Sequence, residues 1–153
     1  MTTSSRGSVA FIGLGAMGYP MAGHLLAAGY AVCVYNRTQA KAEAWVAEHI
    51  AKNAEYRVSS ASTPREAAEN KDFVFVCVGN DDDVRGVILE ADGALAGMEA
   101  GAVLVDHTTT SADLARELAA AATKAGVGFL DAPVSGGQAG AVNGKLTIMV
   151  GGD

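Results

Sequence analysis

Gly13, Gly15 and Gly18 stand in the spacing G-x-G-x-x-G, directly after the apolar run Val9–Ile12 and at the head of a stretch with helical periodicity. Each glycine has a job in such a turn. Gly13 permits the tight bend off a strand, Gly15 lets backbone come close to a ligand, and Gly18 lets the following helix pack on the sheet. The helix start adds N–H donors and the positive end of a dipole, so Gly13, Leu14, Gly15, Ala16, Met17 and Gly18 together suit a pyrophosphate. The motif counts because it sits between an expected strand and an expected helix near the N-terminus.

About 20 residues further on, NAD-specific modules place an acidic residue that bonds the ribose hydroxyls. Here the residues are Asn36, Arg37 and Thr38. No carboxylate repels a 2′-phosphate, and an arginine is present to pair with it. The expected cofactor is NADP in preference to NAD. A third constellation is Asp131-Ala132-Pro133-Val134-Ser135-Gly136-Gly137, continuing to Gly140. A strand end running into Ser135, Gly136 and Gly137 offers a hydroxyl and unencumbered N–H groups for a substrate carboxylate, and equally suits a glycine-rich turn into a last strand.

The elements that must position these groups alternate. Val9–Ile12 reads as a strand, Ala16–Ala28 as a helix stopped by Gly29, and Ala31–Tyr35 as a second strand. Thr38 can cap a helix whose Ala42, Trp45, Val46 and Ile50 share one face. Tyr56–Val58, Phe73–Val78, Val103–Val105, Val127–Leu130 and Leu146–Val150 read as further strands. Helices begin at Thr63-Pro64, Asp81 and Ser111. Apolar strands alternating with helices imply right-handed crossovers. The fold class is α/β, a doubly wound Rossmann-type, mostly parallel sheet with helices on both faces.

At 153 residues the chain is expected to be one domain over 1–153. No apolar run approaches the roughly 20 residues that cross a bilayer, and Met1–Gly7 is polar, so a cytoplasmic location with no membrane partner is expected. A net charge of −6 without a basic face argues against nucleic acid. Cys33 and Cys77 lie in apolar runs and are read as buried thiols. No metal site is expected, because His24, His49 and His107 have no ligand partners at useful spacing. His24 is read among core positions, and Lys145 as a surface lysine.

The run Phe11–Met21, with Asn36-Arg37-Thr38, Asp106-His107-Thr108-Thr109 and Asp131–Gly137, resembles the β-hydroxyacid dehydrogenases. That family includes 3-hydroxyisobutyrate dehydrogenase and tartronate semialdehyde reductase and, more distantly, 6-phosphogluconate dehydrogenase. The resemblance implies hydride transfer between a nicotinamide cofactor and a small β-hydroxyacid or semialdehyde, the carboxylate partner being held by Ser135, Gly136 and Gly137. It also implies that Thr109 sits near the nicotinamide and that Val78, Gly79, Asn80 and Asp83 line the path from adenosine. Gly79 and Ala112 stand where this family often has proline. The family's catalytic lysine, on a helix beyond this unit, has no match, nor has the C-terminal helical domain. The chain by itself is therefore expected to bind cofactor and turn over poorly, with a homo-oligomer as the expected assembly; the alternative is a stand-alone cofactor sensor or interaction module without turnover.

Overall fold

The runs Val9–Ile12, Val32–Val34 and Val74–Val76 carry their apolar side chains alternately to two sides, and this dictates a sheet with a core on each face. The computed structural model describes residues 7–152; the polar stretch Met1–Arg6 and Asp153 lie outside the described residues. Its main sheet holds six parallel strands: β1 (Ser8–Ile12), β2 (Ala31–Tyr35), β3 (Val58–Ser60), β4 (Phe73–Val76), β5 (Val103–Asp106) and β6 (Gly128–Asp131). Their spatial order is β3-β2-β1-β4-β5-β6. The chain winds outward from β1 in one direction and, after β3, outward in the other, so a crevice opens between β1 and β4 beyond their carboxyl ends. The doubly wound, Rossmann-type reading is correct.

The helices are α1 (Gly18–Ala27), α2 (Gln39–Lys52), α3 (Pro64–Ala68), α4 (Asp81–Leu89), α5 (Ala94–Gly97) and α6 (Ala112–Lys124). Val9 and Phe11 of β1 face α1 and α2 in a cluster with Leu26, Val32, Val34 and Trp45. Ala10 and Ile12, one residue out of phase, face the opposite cluster of Val74, Val76, Val84, Ile88, Leu104, Leu114 and Leu118. The Trp45 indole N–H, buried between α2 and α1, donates to the Tyr19 carbonyl at 3.1 Å. A buried indole is stable there because its polar atom is satisfied.

Several expectations need correction. The buried face of α2 ends on His49, not Ile50, which is 46% exposed. His49 follows Trp45 by one turn, packs tilted against its ring with centroids 4.1 Å apart, and donates Nδ1–H to its carbonyl at 2.8 Å. His24 lies on the surface of α1, where Nε2 donates to the Ala141 and Val142 carbonyls. The strand expected at Tyr56–Val58 begins instead at Val58, the first residue to pair with β2.

The expected last strand, Leu146–Val150, does not enter the main sheet. Only Thr147–Ile148 (β8) is extended, and it pairs antiparallel with Val134–Ser135 (β7). Between them lies a six-residue helix, α7 (Gly137–Val142), that the sequence reading missed. A parallel return needs a crossover of a dozen or more residues. This short link allows only a ribbon.

Candidate functional site

β1 ends at Ile12 and the chain turns at Gly13, whose φ of +104° is open to glycine but strained for other residues. A Cβ on Gly13 would fall on the Cys77 carbonyl oxygen, and one on Gly18 would fall on the Gly13 carbonyl oxygen. Packing therefore explains both of these glycines. Gly15 is different: nothing lies within 4 Å of where its Cβ would be. Its missing side chain leaves room in the cleft, not in the protein.

The turn is tied to the end of β2. Gly13 N–H donates to the Tyr35 carbonyl at 2.9 Å, and Leu14 N–H donates to Asn36 Oδ1 at 3.0 Å. Asn36 Nδ2 in turn donates to the Thr38 carbonyl at 3.1 Å. Asn36 thus spends both ends of its amide on backbone, and the Leu14 side chain is wholly buried in the core. These two residues shape the turn. The start of α1 has no side-chain cap, and among the described residues no protein acceptor meets the N–H groups of Gly15, Ala16 and Met17. Free donors at a helix start are what an anion requires.

Around this turn lies a cleft of about 700 Å³. It brings together Gly13–Gly18, Asn36, Arg37, Thr38, Val78, Gly79 and Asp83, which the sequence reading singled out from separate motifs. It also brings in Ser62, Thr63 and Pro64 after β3, and Gly86, Val87, Glu90 and Asp92 around α4, which that reading missed. Only the crossing of the sheet makes these neighbours. Thr63 could have been found as a cap: its hydroxyl accepts Glu66 N–H at 3.1 Å, but nothing in the sequence relates it to Gly15.

The far wall of the cleft is held from beneath. Asp106, at the end of β5, has Oδ1 accepting Thr108 N–H at 2.9 Å, and the Thr108 hydroxyl accepts Val78 N–H at 3.0 Å. Asp106 is fully buried, and its Oδ2 has no protein partner among the described residues. Burial pushes its carboxyl up to about 6; the Thr108 bonds oppose that, and the charges of Asp131 and Asp81 add to it. Burial, with the Asp106 charge, also lifts the Cys77 thiol to about 11, so it is no nucleophile at neutral pH. His107 donates Nδ1–H to the Ala132 carbonyl at 2.7 Å and stacks on Phe75; burial lowers its pKa.

Thr109, Ser135, Gly136 and Gly137 do not line the cleft. Thr109 is exposed next to the buried Thr108. Ser135 is in β7, and Gly136 and Gly137 adopt φ of +133° and +65°, so the turn there needs glycine on backbone grounds alone. None of the lysines among the described residues lines the cleft. Lys145 is exposed, as expected. Ala112 is the first residue of α6, which Ser111 caps by accepting Leu114 N–H at 3.1 Å, so the absence of proline there leaves the helix start intact.

A glycine turn at the crevice between β1 and β4, with bare helix N–H groups facing an open cleft, defines a dinucleotide-binding domain. Residues 8–153 match the family described as the NAD binding domain of 6-phosphogluconate dehydrogenase, and the chain belongs to that family. Over 145 residues, 95% of this chain and 47% of the relative, it is 60% identical to an uncharacterised oxidoreductase of Shewanella frigidimarina. It is 45% identical to a probable mitochondrial 3-hydroxyisobutyrate dehydrogenase-like protein of Arabidopsis thaliana, over 99% of this chain and 43% of the relative. Its fold matches the solved Mycobacterium tuberculosis 3-hydroxyisobutyrate dehydrogenase with L-serine, at a TM-score of 0.82 and 35% identity, over 96% of this chain and 47% of that one. An imine reductase of Myxococcus stipitatus in complex with NADP⁺ matches at a TM-score of 0.71 and 28% identity, over 87% of this chain and 43% of that one. The chain spans about half the length of the curated relatives it matches. No helix among the described residues is long and apolar enough to cross a membrane.

Proposed function

We propose that this chain supplies the cofactor-binding part of an oxidoreductase that moves hydride between a nicotinamide dinucleotide, NADP(H) in preference to NAD(H), and a small β-hydroxyacid or semialdehyde. The observation that carries the reading is Gly15, whose Cβ would stand in open cleft beside the unpaired N–H groups that start α1. Gly13–Gly18 would hold the pyrophosphate, with Arg37 at the rim for a 2′-phosphate and Val78 and Gly79 along the opposite wall. The cofactor, when bound, supplies the hydride acceptor or donor at its nicotinamide.

The substrate class rests on the relatives. L-serine, present with the Mycobacterium tuberculosis structure, is a small carboxylate with a hydroxyl on its β-carbon. For this chain, Ser135, Gly136 and Gly137 are the residues proposed to orient such a carboxylate, with Thr109 toward the nicotinamide. A group that exchanges a proton with the substrate oxygen is worth on the order of 10² to 10⁴ in rate. No lysine among the described residues lines the cleft to do so. Residues 1–153 alone are therefore expected to bind cofactor and to oxidise NADPH poorly with any semialdehyde.

Titrating NADP⁺ and NAD⁺ against the wild type and Arg37→Ala tests the reading. The variant is expected to lose about tenfold in NADP⁺ affinity and little in NAD⁺ affinity. An unchanged ratio refutes the preference, and a wild type that binds neither nucleotide refutes the function.

A further inference from the structure

Three consecutive aspartates open α4, and their carboxylates part three ways. Asp81 accepts the Ser111 hydroxyl at 2.6 Å and the Ser111 N–H at 3.1 Å. Asp82 pairs with Arg85 on its own helix at 3.3 Å. Asp83 reaches across the cleft, where its Oδ1 lies 3.9 Å from Nη1 of Arg37. The helix cap fixes this direction, because Asn80 Oδ1 accepts the Asp83 N–H at 2.9 Å. Gly79 makes room for it: a Cβ there would come within 2.5 Å of Asp83 Oδ2. A proline at position 79 would occupy that space.

Arg37 is the one cation among the described residues lining the cleft, against Asp82, Asp83, Glu90 and Asp92. Its side chain is 88% exposed and, among the described residues, has this ion-pair contact and no hydrogen bond. A phosphate on the ribose has to draw the guanidinium away from Asp83 and tolerate the carboxylate that remains. A ribose with a free 2′-hydroxyl faces neither cost.

The geometry points to Asp83 as a specificity-determining residue that competes with the cofactor's 2′-phosphate for Arg37, and so sets how strongly NADP(H) is preferred over NAD(H). This rests on the assignment of Arg37 to that phosphate. The residue keeps its cap in Asp83→Asn, which removes the charge and preserves the backbone N–H.

Dissociation constants for NADPH and NADH, read from nucleotide fluorescence on the full chain, test it. Asp83→Asn is expected to tighten NADPH about fivefold, in keeping with an exposed ion pair, and to change NADH by less than about twofold. The gain should shrink as salt rises from about 0.05 M to about 0.5 M. It should fall below about twofold when Arg37→Ala is added, since the object of the competition is then gone. Asp83→Ser, which also removes the charge, should reproduce the shift. An unchanged NADPH/NADH affinity ratio in Asp83→Asn, or a gain that survives in full without Arg37, overturns the role of Asp83 while Arg37→Ala still lowers that affinity ratio. If Arg37→Ala itself leaves the ratio unchanged, the assignment of Arg37 falls and the inference falls with it.

Discussion

Asn36 Oδ1 accepts the N–H of Leu14 at 3.0 Å, joining the end of β2 to the glycine turn after β1. Two loops 22 residues apart are thereby held as one surface, and the same amide closes the Asn36–Thr38 turn. Asn36→Ala is expected to lose about 1–2 kcal/mol of stability through the unsatisfied Leu14 N–H and to weaken dinucleotide binding. Denaturant melts and a nucleotide titration check it. Binding that stays at wild-type strength would mean the turn holds its shape without Asn36.

The glycines of the turn should separate in their behaviour. Gly15→Ala meets no protein atom and is expected to leave stability within about 0.5 kcal/mol of wild type, while cutting nucleotide affinity about tenfold or more. Gly18→Ala would place its Cβ on the Gly13 carbonyl and is expected to destabilise by about 1–3 kcal/mol. Thermal melts with and without NADP⁺ distinguish them, and equal melting losses would contradict the geometry.

Thr108 and Thr109 are adjacent and expected to differ. The Thr108 hydroxyl is buried and accepts Val78 N–H, so Thr108→Val should cost about 1–3 kcal/mol and loosen the cleft wall. Thr109 is exposed, and Thr109→Val should leave stability unchanged within about 0.5 kcal/mol. Its effect on turnover is a separate measurement, to be made with cofactor and substrate.

Asp106 should make stability depend on pH. Its folded carboxyl titrates at about 6 against an ordinary value of 3.8, so the native state holds its proton more tightly than the unfolded chain. Stability from this group is complete below about pH 4 and is lost as pH rises through about 6. Asp106→Asn keeps an acceptor for Thr108 and avoids the buried charge. Its stability relative to wild type should be flat below about pH 4, rise between about pH 4 and 6, and level off on the order of 3 kcal/mol higher. Chemical denaturation across that range measures the difference, and a pH-independent offset would show that Asp106 is not the titrating group.

Local patterning made much of this chain legible. β2 has the bounds and α4 the start expected from the sequence, and helices start at Thr63 and Ser111, whose side chains accept an N–H. Those signals lie within a few residues of the structure they cause. The buried face of α2 takes His49 in place of Ile50 because the His49 ring packs against Trp45 and bonds its carbonyl, a packing event that hydrophobicity does not encode. The helix α7 and the strand β7 before it are too short for a period to show in the sequence.

By themselves, the residues determined a doubly wound dinucleotide-binding fold and the turn Gly13–Gly18 at its centre, because glycine spacing and apolar periodicity act over short distances along the chain. Only the tertiary structure decided which residues share the cleft with that turn. It set Arg37 opposite Asp83, 46 positions later, and left Thr109 and Ser135–Gly137 outside it. The reason is the strand order: placing β4 beside β1 brings together loops that are distant in sequence, and contacts of that kind arise from packing on both faces of the sheet.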